Sequence, residues 1–244
     1  MLAPHLWLVA NFAGVSDVAL TPPSAATSRL ITAPSAGLNA GQAGTPAACR
    51  QMKCWAMQGL KVRVAINLSA RQLGQDDLAD RIRTALERNG LNPSRLTCEI
   101  TESVAMGDLS VTQRAFDALV RDGVALSIDD FGTGHSSLAY LRKLPATQLK
   151  IDRSFVKDVA ADDDARAIVD AVVHLAHALG LRVVAEGVET QQQREVLALG
   201  CDELQGYLIA RPMPAEALVE WLYGDASARA WQAEPTAIVP LAEV

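Results

Sequence analysis

The chain has no C-x-x-C pair, and none of its four cysteines (Cys49, Cys54, Cys98, Cys201) has a histidine at ligand spacing. That excludes the common zinc motifs and points to reduced, mostly buried thiols of a cytoplasmic protein. There is no basic excess either. With 22 Lys+Arg against 28 Asp+Glu, the net charge of −6 offers no broad attraction to a DNA or RNA polymer or to an anionic membrane. Any phosphate ligand therefore needs a local cation. No run approaches the ~18 apolar residues of a membrane span. The opening "MLAPHLWLVANFAGV" lacks a basic n-region and is broken by Pro4, His5 and Asn11, so it is not read as a signal peptide.

Charge is scarce in one region. From Met1 to Thr45 the only charged side chains are Asp17 and Arg29. From Thr21 to Thr45 small residues, proline and glycine dominate without periodicity, which predicts a segment lacking regular structure. Residues 46–223 read as one ordinary folded domain, and 224–244 as a loosely packed tail whose Trp231 could dock on it. At 244 residues, half of them hydrophobic, the chain can bury one sizeable core.

Within 46–223 strands and helices alternate. "VRVAINL" (62–68), "RLTCEI" (95–100), "VALSI" (124–128), "TQLKI" (147–151), "RVVAE" (182–186) and "DELQGYL" (202–208) read as strands. Helices are predicted at about 46–58, 75–90, 109–122, 162–180, 190–199 and 214–222, with acids opening and glycine closing several of them. "DDD" at 162–164 is read as such a helix start. Six strands separated by helices imply parallel neighbours joined by crossovers.

Polar residues recur at one place in this pattern. Asn67, Glu99, Asp129 with Asp130, Lys150, Glu186 and Gln205 each fall at or near the C-terminal end of a different strand. In a (β/α)8 barrel those ends converge on the face where active sites are built. Each has a bland reading when taken alone: Asn67 as a cap, Glu99 or Glu186 in a buried ion pair, Lys150 snorkelling. Their shared position favours a site. Carboxylate and amide oxygens suit hard cations such as Mg²⁺ or Mn²⁺. The neighbouring acids Asp129 and Asp130 would repel each other unless cations lay between or beside them, and side chains diverging at a strand edge could serve two ions. Two ions a few ångströms apart activate water and stabilise a phosphoryl transition state, with Lys150 to orient or deprotonate that water. The chemistry indicated is phosphodiester hydrolysis.

"AINLSARQL", "CEITES", "SIDDFGTGHSSLAYL", "LKIDRSFV", "VVAEGVET" and "LQGYLIARPMP" resemble, in order, the motifs of EAL domains, the cyclic-di-GMP phosphodiesterases. The resemblance implies a modified TIM barrel with one antiparallel strand, and hydrolysis of cyclic di-GMP to pGpG with Mg²⁺ or Mn²⁺. It implies that Asn67, Glu99 and Asp129 bind a first metal, with Asp130 on the second and Glu186 serving the centre. Lys150 would position or deprotonate the water, and Gln205 would contact a guanine. Glu102 would support the "DDFGTG" loop, a lid and homodimer contact in the family, and Glu189 would lie in the outer shell.

The departures are as informative. The family's Glu-Ala-Leu strand, with its metal-binding glutamate, has no counterpart: the only "EAL" is Glu216-Ala217-Leu218, in the last predicted helix. The phosphate-contacting arginine that follows the family motif is missing too. The expectation is an α/β barrel incomplete at its N-terminus, as a truncated or frame-shifted start would give. His135 stands where the family usually has tyrosine; it is read as neutral rather than metal-binding. No GGDEF-type cyclase motif is present in the sequence. Three functions remain open: an impaired phosphodiesterase, a catalytically inactive nucleotide- or protein-binding regulatory module, and an unrelated barrel enzyme with Lys150 as Schiff base. The acids around Lys150 and the "DFGTG" loop argue against the third.

Overall fold

A computed structural model describes residues 7–10, 18–21, 28–29, 44–60, 62–106, 109–133, 141–211 and 213–223. Nine strands are assigned among them. β1 (Trp7–Ala10) and β2 (Val18–Thr21) form an antiparallel hairpin, and β3 (Ser28–Arg29) follows. β4 (Val64–Asn67), β5 (Leu96–Thr101), β6 (Ala125–Phe131), β7 (Gln148–Ile151), β8 (Arg182–Ala185) and β9 (Glu203–Leu204) are the six expected from the sequence. They pair in parallel in chain order, and β3 adds in parallel beyond β9. Helices Gly44–Met57, Leu78–Asn89, Leu109–Arg121, Asp163–Ala178, Gln191–Leu197 and Ala215–Tyr223 lie close to the sequence expectations.

Side-chain alternation explains the layering. In a strand, successive residues point to opposite faces. Val64, Ile66, Leu96, Cys98, Ile100, Leu126, Ile128, Leu149, Ile151, Val183 and Leu204 take one face and join the apolar core with the helices. The intervening residues, among them Thr97, Glu99, Ser127, Asp129, Gln148, Lys150 and Glu203, are buried but polar. The barrel is therefore apolar outside, under its helices, and polar inside.

The sheet curls on itself. Arg63, just before β4, sends Nη2 to Glu203 Oε1 at 2.8 Å and Oε2 at 3.0 Å, although β4 and β9 are the first and last of the six strands. Glu203 also accepts from Arg182 at 2.7 Å and Gln148 at 3.2 Å. This ion cluster lies at the N-terminal ends of the strands, where a barrel's polar groups serve stability.

The segment expected to lack regular structure, 21–45, holds the end of β2, all of β3 and the start of the Gly44–Met57 helix; residues 22–27 and 30–43 lie outside the described residues. β1 lies against β4, and β2 against β3 and β4. His135 and the 224–244 tail with Trp231 are outside the described residues too. "DELQGYL" is strand only at Glu203–Leu204. It turns away because Gly206 sits on the backbone of Val188: a Cβ there would come within 2.2 Å of Val188 N and O. Asp162 does cap its helix, its side chain accepting from Asp164 N at 2.9 Å. The four cysteines are free, and all but Cys54 are buried.

Candidate metal centre

Lys150, on β7, is 3 % exposed and gathers three carboxylates from three other strand ends. Its Nζ lies 3.2 Å from Glu99 Oε1, 3.0 Å from Asp129 Oδ1 and 2.5 Å from Glu186 Oε1. Burial opposes the charge on this ammonium. Asp129, Glu186 and Glu99 outweigh that cost and hold its pKa well above the ordinary lysine range. Lys150 is thus held as an ammonium within this cluster.

A second grouping overlaps the first. Ligand oxygens of Asp129, Asp130 and Glu186 all lie within 4.8 Å of one another. A regular strand would send Asp129 and Asp130 to opposite faces. Pairing of β6 with β7 shifts register between Ile128 and Phe131, and Asp130 takes φ 56°, a left-handed conformation uncommon for a side-chain-bearing residue. This bulge re-aims both acids toward one spot, as bulges beside active sites do. Three carboxylates that close make a hard-cation donor set.

The unneutralised charge is visible in their acidities. Burial, with repulsion from Asp129 and Glu99, pushes the Glu186 carboxyl up to about 8 despite Lys150. Burial, then Asp129 and Asp152, raises Asp130. A divalent ion among these oxygens would relieve both effects, so the residues fit one. Filling the cluster with Mn²⁺ at pH 7 should therefore expel about one proton, because a ligand carboxyl must ionise. Titration calorimetry in buffers of different ionisation enthalpy reads that number; binding with no proton released would show that Glu186 is already ionised.

Local hydrogen bonds hold the strand-end loops in place. Glu186 N donates to Ile151 O at 3.1 Å, and Gln205 N to Ala185 O at 2.8 Å. Gln193 ties two loops together: its Nε2 donates to Lys157 O at 2.8 Å, while its Oε1 accepts from Glu189 N at 2.8 Å and Thr190 N at 2.9 Å. Glu102, 2 % exposed, accepts from Gly132 N at 2.8 Å, anchoring the turn after Asp129–Asp130. Any side chain at Gly132 (φ 99°) would strike the Phe155 ring at 2.7 Å.

Of the residues singled out in the sequence, Glu99, Asp129, Asp130, Lys150 and Glu186 are brought together directly. Asn67 ends β4 in register with Glu99. It does not cap the next helix; Ser69 does, with a capping box to Gln72. Gln205 is buried at the end of β9. Glu189 stands apart from the acid cluster, paired with Arg153 at 2.8 Å. Two contributors are absent from the sequence reading. Asp152, two residues after Lys150, acts electrostatically on Asp130 while its own carboxylate accepts from Ser154 N at 3.0 Å. Gly187 (φ 69°) leaves room for the Arg153 stem, which a Cβ would meet at 2.4 Å.

Comparison with known proteins agrees with this geometry. The family model described as "EAL domain" matches residues 34–212. The bifunctional diguanylate cyclase/cyclic di-GMP phosphodiesterase MucR of Pseudomonas aeruginosa is 52 % identical over 174 residues, 70 % of this chain and 25 % of that protein. The cyclic di-GMP phosphodiesterase NbdA of the same organism is 46 % identical over 177 residues, 72 % of this chain and 23 % of that protein. The chain thus spans about a quarter of the length of these relatives. Among solved structures, the PaMucR phosphodiesterase in complex with c-di-GMP superposes with a TM-score of 0.70 at 40 % identity, covering 88 % of this chain and 93 % of that one. The EAL domain of Mycobacterium smegmatis DcpA gives 0.73 at 32 % identity, covering 91 % and 95 %. With its curled parallel sheet of TIM-barrel type and acids gathered at the strand ends, this chain belongs to the EAL domain family.

Proposed function

We propose that this chain is a cyclic-di-GMP phosphodiesterase domain that hydrolyses the cyclic dinucleotide to pGpG, with turnover reduced for want of one metal-binding carboxylate. The observation that carries the reading is the convergence of Glu99, Asp129, Asp130 and Glu186 on one lysine at the strand ends. Relatives named as cyclic di-GMP phosphodiesterases support the substrate. Mg²⁺ or Mn²⁺ would be held by Asn67, Glu99 and Asp129 at one position and Asp130 at a second, with Glu186 serving the centre; bound there, the ions would supply activation of water and charge neutralisation at phosphate.

The chain's own groups then have separable tasks. Lys150, kept protonated by its carboxylates, orients the attacking water by donating to its oxygen. Water adds to phosphorus and gives up a proton, the P–O3′ bond breaks, and the leaving 3′ oxygen takes up a proton, giving the linear dinucleotide with a free 3′ hydroxyl and a 5′-phosphate. Gln205 hydrogen-bonds a guanine edge, Glu102 fixes the turn at Gly132, and Glu189 holds Arg153 beside the loop that follows Glu186. Two copies pair through the 129–134 loop, and the domain works in the cytoplasm.

A second reading has its own observation. β1, β2 and β3, the described strands that precede β4, contain no acidic residue and so offer no carboxylate to the centre. A catalytically inactive module that binds the nucleotide or a protein is the alternative. Chromatography of the products after incubation with cyclic di-GMP and Mn²⁺ separates the two. Slow appearance of pGpG is the expected result; nucleotide binding without any pGpG would establish the module.

A further inference from the structure

Two hydroxyls inside the barrel, Thr97 Oγ1 and Ser127 Oγ, have no hydrogen-bond partner among the described residues. Both residues are almost wholly buried, at 1 % and 0 % exposure. Thr97 lies two residues before Glu99 on β5, and Ser127 two before Asp129 on β6, so each shares the inward face of a cluster acid. Register places Ser127 beside Glu99 on one side and beside Gln148 on the other. Toward the C-terminal ends is the Lys150 cluster. Toward the N-terminal ends Gln148 joins Glu203, Arg63 and Arg182. The two hydroxyls thus lie on the inner face that carries both buried ion clusters.

A buried hydroxyl without a partner carries the uncompensated cost of its lost hydration. Two such groups on one polar inner face are met in native proteins by ordered water, which takes two to four polar partners where space allows. Ala65, the register partner of Thr97, is fully buried and stands apart from the apolar core under the helices, so the side chain next to Thr97 on this strand pair is a small one. Glu99 is the nearest ionised group on the same face of the same strand.

We propose that Thr97 and Ser127 hold buried water beneath Lys150, that this water donates to the Glu99 carboxylate, and that the contact orients Glu99 for a divalent ion. Thr97 and Ser127 are then positioning residues, acting on the ion only through water and Glu99. The water holds the Glu99 carboxylate from below, while its Oε1 meets Lys150 Nζ at 3.2 Å. Partners of this kind around metal ligands typically tune affinity ~10–100-fold. The inference rests on the proposed role of Glu99 as a metal ligand; it does not require turnover.

The test uses the full chain, with Mn²⁺ affinity by calorimetry and stability by urea unfolding, on Thr97→Val, Thr97→Ser and Ser127→Ala. Thr97→Val keeps the shape and removes the hydroxyl; Thr97→Ser keeps the hydroxyl and removes a methyl. The expected result is Mn²⁺ binding weakened ~10–100-fold in Thr97→Val and Ser127→Ala, retained in Thr97→Ser, with Thr97→Val less stable than the unmodified chain. Unchanged affinity together with raised stability in Thr97→Val would show a dry, unsatisfied hydroxyl and overturn the proposal. So would equal losses in Thr97→Val and Thr97→Ser, or an unmodified chain with no saturable Mn²⁺ binding. A chain that binds Mn²⁺ as described without turning over cyclic di-GMP removes the phosphodiesterase reading and leaves this inference standing. Turnover with unchanged affinity in Thr97→Val does the reverse.

Discussion

Glu203→Ala is expected to lower folding stability by about 3–5 kcal/mol. Glu203 is 1 % exposed and accepts from Arg63, Arg182 and Gln148. Removing it takes from the Arg63 guanidinium, itself 7 % exposed, the carboxylate it meets at 2.8 and 3.0 Å in the barrel interior. The loss is large because one partner of a buried pair disappears while the other stays charged; the pair's net worth is smaller. The same carboxylate links β9 to β4, so the curl of the sheet loosens with it. Urea unfolding of Glu203→Ala beside Glu203→Gln, which keeps the shape and some hydrogen bonds, measures this. A loss below about 1 kcal/mol in the alanine variant would mean that water reaches Arg63 and compensates it.

Lys150→Met should separate metal binding from catalysis. Methionine replaces the buried stem and removes the charge, leaving Glu99, Asp129 and Glu186 without their ammonium. Without metal the three acids then repel each other across a buried space, and stability falls. Mn²⁺ supplies the missing positive charge, so the variant should gain more stability from Mn²⁺ than the unmodified chain does. Turnover should not recover with it. The group that orients water is gone, and losing one such fixed donor costs ~10²–10³-fold. Thermal unfolding with and without Mn²⁺, alongside turnover, reads both effects. Recovery of turnover with Mn²⁺ would assign Lys150 a purely structural role.

Much of this architecture is legible in the residues. β4 to β9 appear because short β-branched runs alternate with amphipathic helices, a local signal that pairing only confirms. Glu99, Lys150 and Glu186 stand out because a charged side chain at the end of an apolar run is costly unless it has a partner. Other features depend on pairing. Adjacent Asp129 and Asp130 read as diverging side chains; the bulge and the φ of 56° at Asp130 bring them together, and both come from the register with β7. β3 is two residues, Ser28–Arg29, defined by pairing with β9 and carrying no periodicity of its own.

The ion cluster around Glu203 is a different case. Gln148 and Glu203 sit two residues before Lys150 and Gln205, and Arg63 four before Asn67. Period-two alternation from the site residues therefore points straight at them. Attention to the C-terminal ends of the strands passes over this signal. "DELQGYL" fails as a strand for a tertiary reason: Gly206 must meet the Val188 backbone.

The central claim is that the acid cluster hydrolyses cyclic di-GMP but works short of one carboxylate. The most direct test is turnover of cyclic di-GMP to pGpG in saturating Mn²⁺ by three proteins: the unmodified chain, its Asp129→Ala variant, and a version carrying a Glu-Ala-Leu first strand in place of residues 1–45. The account predicts slow turnover by the unmodified chain, none by Asp129→Ala, and a gain of at least ~10-fold with the restored strand. Equal turnover by the unmodified and restored proteins, lost in Asp129→Ala, would contradict it.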